Sequence, residues 1–426
     1  MVKSILILFF VFYLFPSTVK AIPVFARNYN ISCVACHSAY PKLNAGGASF
    51  ADNNFRFDNW KSTTLKEIAD SDLWLPEIPA LAMRIQAFAQ GRDNFANYDQ
   101  TTGAATEKSD FDIQAPYLIK LLSSAPLTDQ LTYYFYGIFA EKGKNGTVVI
   151  EDAWFQYNDL FGSGISMQLG QFQVSDLMFP REVRLTFQDY MVYRMADITY
   201  QRGILFGREF GPINLDIGVV NGNGIAEDSS ITSPGYKRAD HTFDNNNDKS
   251  VFGRLGFELF DTAIGLFAYK GRQYQRTGTI LESTNDKLVN KSIIGFDLAK
   301  AITGKVDVFL QVLANSWENF DSTQPEKDFN WSGGFVGVDY IYSPKWAFSL
   351  LQNYVDNGDF ENADNIFRGL EMNTTSIGAS YYLARNAKLL LEFNIDWLDV
   401  DTKTQNKTYG HQSKENSVVL GFDAAF

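Results

Sequence analysis

The chain has 426 residues, a formal net charge of −12 and 15% aromatic side chains. Its acidic balance argues against nucleic acid as a partner and suits small cations better. Past the N-terminal 21 residues no stretch is apolar enough for a membrane helix.

Residues 1–21 read as a secretory signal peptide. Lys3 supplies the positive start, residues 5–15 are an unbroken apolar run, and Val19-Lys20-Ala21 puts short residues at both cleavage-site positions. The run is too short to cross a bilayer comfortably, which disfavours a transmembrane anchor. Cleavage there would start the exported chain near Ile22.

Both cysteines lie in Ser32-Cys33-Val34-Ala35-Cys36-His37, a single C-x-x-C-H. In c-type haem attachment two thiols at this spacing bond to the two vinyl groups, and the adjacent His gives the iron an axial nitrogen. The spacing predicts Cys33 and Cys36 as the covalent anchors of one haem c and His37 as its proximal ligand. A thioredoxin-like dithiol is the rival reading, but no strand-helix-strand pattern surrounds the motif. A plain disulfide is the other.

Residues 22–78 make a small N-terminal unit. Pro41-Lys42-Leu43-Asn44-Ala45-Gly46-Gly47 reads as a turn, with a helix expected over 48–57. Roughly 55 residues is thin for a self-sufficient domain. The unit has no second His and no Met, so a six-coordinate haem would draw its other ligand from elsewhere in the chain. The unit is therefore expected to dock against, or inside, the rest of the chain.

Three runs carry a resemblance: Ile22-Pro23-Val24-Phe25-Ala26-Arg27, the C-x-x-C-H segment, and Tyr40-Pro41-Lys42-Leu43-Asn44. Together they resemble the N-terminus of the outer-membrane cytochrome–porin fusions, whose best-known members are iron-oxidising monohaem cytochromes. The likeness is specific over about 35 residues and architectural beyond them. It implies electron transfer, with extracellular Fe(II) outside and a soluble periplasmic cytochrome inside.

Residues 79–426 repeat one pattern, an alternating segment followed by a connection. Ala82, Arg84, Gln86, Phe88 and Gln90 share one face; Leu81, Met83, Ile85, Ala87 and Ala89 share the other. Near the end Lys388, Glu392, Asn394 and Asp396 oppose Leu389, Leu391, Phe393, Ile395 and Trp397. Short turns are expected at Pro126-Leu127-Thr128-Asp129, 158–163, Phe210-Gly211-Pro212, Phe260-Asp261-Thr262, Thr303-Gly304, Ser343-Pro344-Lys345 and Arg385-Asn386. Longer loops are expected at 92–110, 141–146, 174–196, 221–249, 273–290, 318–330, 356–371 and 401–414. Strict alternation of turn and loop predicts an all-β transmembrane barrel of about 16 antiparallel strands, with both termini on the short-turn side. The terminal Val418, Leu420, Phe422, Ala424, Phe426 series resembles the C-terminal signal of outer-membrane barrels.

The third loop is dense in Arg, Tyr and Met. In general porins this loop folds inward and narrows the pore. By that analogy Met178, Met191 and Met195 are the sulfurs best placed to reach a haem, Met178 first. Met83 and Met167 fall on apolar strand faces. His241 and His411 sit in long loops, where a lone His is ordinarily solvated. Glu227, Asp228, Asp240, Asp244 and Asp248 give the fourth loop a negative charge that could collect cations. No nucleophile-base pair, phosphate loop or zinc-spaced cluster occurs.

The sequence therefore predicts a monohaem c-type cytochrome unit (22–78) fused to an outer-membrane barrel (79–426), conducting electrons across the membrane. The alternatives are a porin with a structural or sensory haem, and outward export of electrons to an external acceptor.

Overall fold

Period-two sequence builds most of this chain. The structure, a computed structural model, describes residues 24–29, 31–57, 80–92, 96–98, 105–107, 111–141, 144–222, 247–277, 283–361, 370–398 and 416–426. The signal segment, His241, His411, Glu227, Asp228, Asp240 and Asp244 lie outside the described residues.

Among the described residues sixteen strands close into one antiparallel barrel. In chain order they are β1 (Leu81–Arg92), β2 (Phe111–Pro126), β3 (Leu131–Glu141), β4 (Lys144–Tyr157), β5 (Ser166–Gln173), β6 (Tyr200–Phe210), β7 (Ile213–Val220) and β8 (Ser250–Leu259). The second half runs β9 (Thr262–Thr277), β10 (Ser283–Thr303), β11 (Val306–Trp317), β12 (Phe329–Ser343), β13 (Trp346–Asp356), β14 (Met372–Ala384), β15 (Ala387–Asp396) and β16 (Ser417–Ala425). Each strand pairs with its neighbour in sequence, and β16 closes on β1 through Ser417↔Arg92 to Ala425↔Arg84. Phe426 completes the seam by exchanging two backbone hydrogen bonds with Met83, at 2.7 and 2.8 Å. Closure leaves no strand edge, which a bilayer would not tolerate.

The faces divide as the sequence predicts. On β15 Lys388, Leu390, Glu392, Asn394 and Asp396 are buried, whereas Leu391 and Phe393 are exposed. On β16 Val418, Leu420 and Phe422 point outward. Charge inside and apolar side chains outside is the reverse of a soluble protein and the rule for a membrane barrel. Met83 and Met167 stand on the outward face, in line with the exposed Leu81 and opposite the exposed Phe206.

All seven predicted short turns join consecutive strands. Two loops are shorter than expected. β3 and β4 stay paired to Glu141↔Lys144, and β9 and β10 to Thr277↔Ser283. The expected loops at 141–146 and 273–290 are largely strand. A hairpin that runs past the bilayer loses its need for an apolar face but keeps its backbone pairing, so polarity marks the membrane boundary rather than the strand end.

Connection 174–199, between β5 and β6, folds into the lumen as expected. It carries the one-turn helix Met191–Met195. Tyr193 donates its hydroxyl hydrogen to Gln311 on β11 at 3.1 Å. The Phe187 and Gln188 amides donate to Glu392 on β15 at 2.6 and 2.9 Å. Toward the opposite wall Glu182 accepts from Arg84 on β1, Lys120 on β2 and Tyr136 on β3, at 3.1, 2.9 and 3.1 Å. Tyr190 stacks on Phe335 of β12 with ring centroids 4.2 Å apart. Val174, Val192, Tyr193, Ala196 and Ile198 are essentially inaccessible within the main apolar cluster, which lines the wall from β5 to β13. Burying each large side chain contributes roughly 1.5–3 kcal/mol. That opposes the roughly 1–2 kcal/mol per residue needed to order the loop backbone.

Candidate functional site

The C-x-x-C-H motif lies in a segment built from short elements. These are α1 (Val24–Tyr29), a 3₁₀ turn (Cys33–Ala35), a small hairpin of His37–Ala39 with Lys42–Leu43, and α2 (Ala45–Asp52). α2 begins inside the stretch expected to be a turn and ends before the expected limit at 57. Its start is set by Asn44, whose Oδ1 accepts from the Gly47 amide at 2.8 Å. Its end is set by Asn54 and Phe55, both with positive φ. Gly47 is a packing requirement: a Cβ there would run into the Cys36 carbonyl. The helix backbone is thus pressed onto the motif.

This segment crosses the short-turn end of the lumen. On one side Lys42 Nζ is 2.8 Å from Asp339 on β12 and 3.3 Å from Asp307 on β11. On the other, Arg56 donates to Thr132 Oγ1 and to the Leu131 carbonyl on β3, the latter at 2.7 Å. Asn54 donates to Asn158 at 2.6 Å, and Phe55 stacks on Tyr134 at 5.2 Å. β3 and β11 are eight strands apart in a ring of sixteen, so the attachments are on opposite walls. Tyr40 links the segment to the inward loop: it is buried with Leu185 and Tyr382, and Tyr382 donates to its carbonyl at 2.7 Å.

Both cysteines are free thiols and half-buried. Burial raises both above the usual thiol range. His37 Nδ1 lies 3.0 Å from the Pro41 carbonyl. A carbonyl can only accept, so Nδ1 carries the hydrogen and Nε2 keeps the lone pair that an iron would need. Burial lowers the His37 pKa, with backbone hydrogen bonds to Pro41 and Lys42 partly opposing it. Cys33, His37 and Tyr40 share a cleft of about 260 Å³ with Pro344, Tyr382 and Arg385 from the short-turn end.

Cys33 and His37 line one cleft, and Cys36 is not among its lining residues. Met178 is 7% exposed and packed in the main apolar cluster. Met195 packs against the same cluster, and Met191 begins the one-turn helix. None of the three lines the cleft beside His37. Among the described residues no group of three or more His, Cys, Asp or Glu side chains is placed to hold a metal ion. Sequence reasoning missed Lys42, Asp339 and Arg56 as ties of the motif to the wall. Lys42 sat in a predicted turn, and nothing local pairs it with a residue 297 positions away.

No protein-family model matches the sequence, and no curated protein does. Among solved structures the chain is similar to the outer membrane channel DcaP of Acinetobacter baumannii, with 12% identity, a TM-score of 0.54, and coverage of 81% of this chain and 96% of that one. It is likewise similar to the anion-selective porin from Comamonas acidovorans, with 13% identity, a TM-score of 0.52, and coverage of 81% and 98%. The Salmonella typhi OmpF structure in complex with daunomycin gives 12% identity, a TM-score of 0.51, and coverage of 82% and 98%. At these identities the likeness is one of fold: the chain is a 16-stranded porin-like barrel.

Proposed function

We propose that this protein is an outer-membrane barrel that carries one haem c at its closed end and passes electrons across the membrane. The observation that carries the reading is the position of C-x-x-C-H in a segment tied across the lumen. A bound haem supplies one-electron exchange at iron. Cys33 and Cys36 would tether it and His37 Nε2 would offer its lone pair to the iron, with the imidazole held by the Pro41 carbonyl. Lys42 and Arg56 hold the tether to the walls. By the build of bacterial barrels the short-turn end faces the periplasm, which puts the motif within reach of a periplasmic cytochrome. The donor in this reading is extracellular Fe(II), on the family resemblance. Stopped-flow mixing of oxidised protein with Fe(II) near neutral pH tests it. Appearance of reduced haem bands within seconds supports inward flow. Reduction only by a periplasmic carrier reverses the direction, toward an external acceptor.

A second reading is a porin-like channel in which the haem is structural or sensory. It is favoured by the fold neighbours and by a charged chamber left between connection 174–199 and the strands β1–β4, β15 and β16. Planar-bilayer conductance separates the two. A plugged conduit gives no steady open-channel current; an open porin does.

A further inference from the structure

The geometry points to a seat for a small oxyanion, a phosphate or a carboxylate, inside the barrel. The site goes beyond the haem reading and does not depend on it. The chamber encloses about 690 Å³, including the part open to solvent. It is lined by Arg84, Lys120, Arg181, Arg184, Arg194 and Lys388, against the carboxylates of Glu151, Glu182 and Asp423. This is a basic lining in an acidic chain.

The accounting around Lys388 locates the seat. Its side chain is 2% exposed, and its one hydrogen bond among the described residues is a long 3.4 Å contact to the Leu185 carbonyl. Three carboxylates act on it electrostatically, Asp423, Glu392 and Asp339, and all are already committed, Asp339 to Lys42 at 2.8 Å. Asp423 accepts from Arg84 Nε and Nη2 at 3.0 and 2.8 Å, and from Gln86 at 3.0 Å. Glu392 accepts from the Phe187 and Gln188 amides. Among the described residues Arg84 is paired with Asp423 and Lys120 with Glu182, whereas Lys388 has no ion pair. A buried ammonium without an ion-pair partner is costly. An anion entering the chamber would remove that cost.

Arg184 adds the second half of the seat. It lies just before Leu185, and its Nε hydrogen is buried without an acceptor. Its Nη1 and Nη2 donate to the Arg181 and Phe187 carbonyls at 2.6 and 3.4 Å, so Nε is the open donor. Nη1 is also 3.5 Å from Asp189, but that carboxylate is shared with Arg181 and Arg194 and accepts from the Tyr190 amide. The acidic part of the lining, Glu151 and Glu182, is held by Lys120, and Glu182 also by Arg84 and Tyr136. There remain the Lys388 ammonium and the Arg184 Nε hydrogen with unused hydrogen-bonding capacity, on two residues that line the chamber. An oxyanion is the ligand class that satisfies both.

The test is calorimetric titration of the detergent-purified full chain with inorganic phosphate, and separately with acetate, at low ionic strength. We expect saturable one-site binding of at least one of them. Lys388→Met should weaken it about tenfold or more, as loss of a charge-assisted hydrogen bond does. Lys388→Arg should keep it within about threefold of wild type. Arg208→Gln, an exposed guanidinium near a short turn, should leave it unchanged. Heat-modifiable gel mobility reports whether each variant retains the barrel. If Lys388→Met does not fold, Arg184→Gln carries the same tenfold expectation. No saturable binding of either anion, wild-type binding in a folded Lys388→Met or Arg184→Gln variant, or equal weakening by Arg208→Gln overturns the seat.

Discussion

Lys42 Nζ stands 2.8 Å from Asp339 Oδ2, joining the hairpin that begins at His37 to the inner wall of β12. The pair is mostly buried, with side-chain exposures of 16% and 7%. Asp307 reinforces it from β11. The contact fixes one end of the segment that closes the lumen.

Replacing Lys42 should loosen that end. Lys42→Met leaves Asp339 and Asp307 facing each other without their hydrogen-bonded cation, which is expected to cost about 3 kcal/mol, at the lower end for a broken buried pair. Hydrogen exchange should rise over residues 37–52 more than over the barrel strands. Adding Asp339→Leu should recover part of the loss, since it removes the stranded charge. Unchanged exchange in the single variant would deny Lys42 this role.

Glu182 is the corresponding tie of connection 174–199. Glu182→Ala strips one acceptor from Arg84, Lys120 and Tyr136 at once. Arg84 keeps Asp423 and Lys120 keeps Glu151, so the expected loss is about 1–3 kcal/mol rather than unfolding. Planar-bilayer conductance should increase as the loop detaches from the β1–β3 wall. Conductance equal to wild type would mean that the loop is held by its apolar side alone.

Met178 separates packing from ligation. It is 7% exposed within the main cluster and away from the cleft at His37. Met178→Ala is expected to lower stability by about 2–5 kcal/mol and to leave the haem spectrum unchanged. A shifted potential with loss of a methionine charge-transfer band would instead make Met178 the distal ligand.

Gly47 tests the packing of α2 on the motif. Gly47→Ala puts a methyl group against the Cys36 carbonyl, a clash with backbone that no side-chain rotation relieves. Haem staining per folded chain should fall at least severalfold, while heat-modifiable migration of the barrel persists. Full staining would show that the turn tolerates displacement of the helix.

The barrel was legible because alternation is local: Arg84 and Lys388 point inward, and Leu391 and Leu420 outward, by sequence parity alone. The seven turns were legible from Gly, Pro, Asn and Asp between alternating runs. The ends of the second and fifth loops were not, because residues such as Gln273 and Tyr274 pair as strand while carrying loop-like polarity. The C-x-x-C-H motif is legible as a spacing, but its seat in the fold does not follow from it. Lys42–Asp339, Arg56–Thr132 and Tyr382–Tyr40 are contacts between the N-terminal segment and the barrel wall, and no local rule relates their partners. The uncompensated Lys388 was likewise invisible, since Glu392 lies nearby in sequence and reads as its natural partner. In the fold that carboxylate is taken by loop amides.

The most direct measurement is the haem content of the full chain purified from the outer-membrane fraction of a host that matures c-type cytochromes. Pyridine haemochrome absorbance, together with haem staining on a denaturing gel, gives the number held covalently. One haem per chain is expected, surviving denaturation and lost in the Cys33→Ala, Cys36→Ala double variant. A haem-free wild-type protein, or undiminished staining in the double variant, would contradict it.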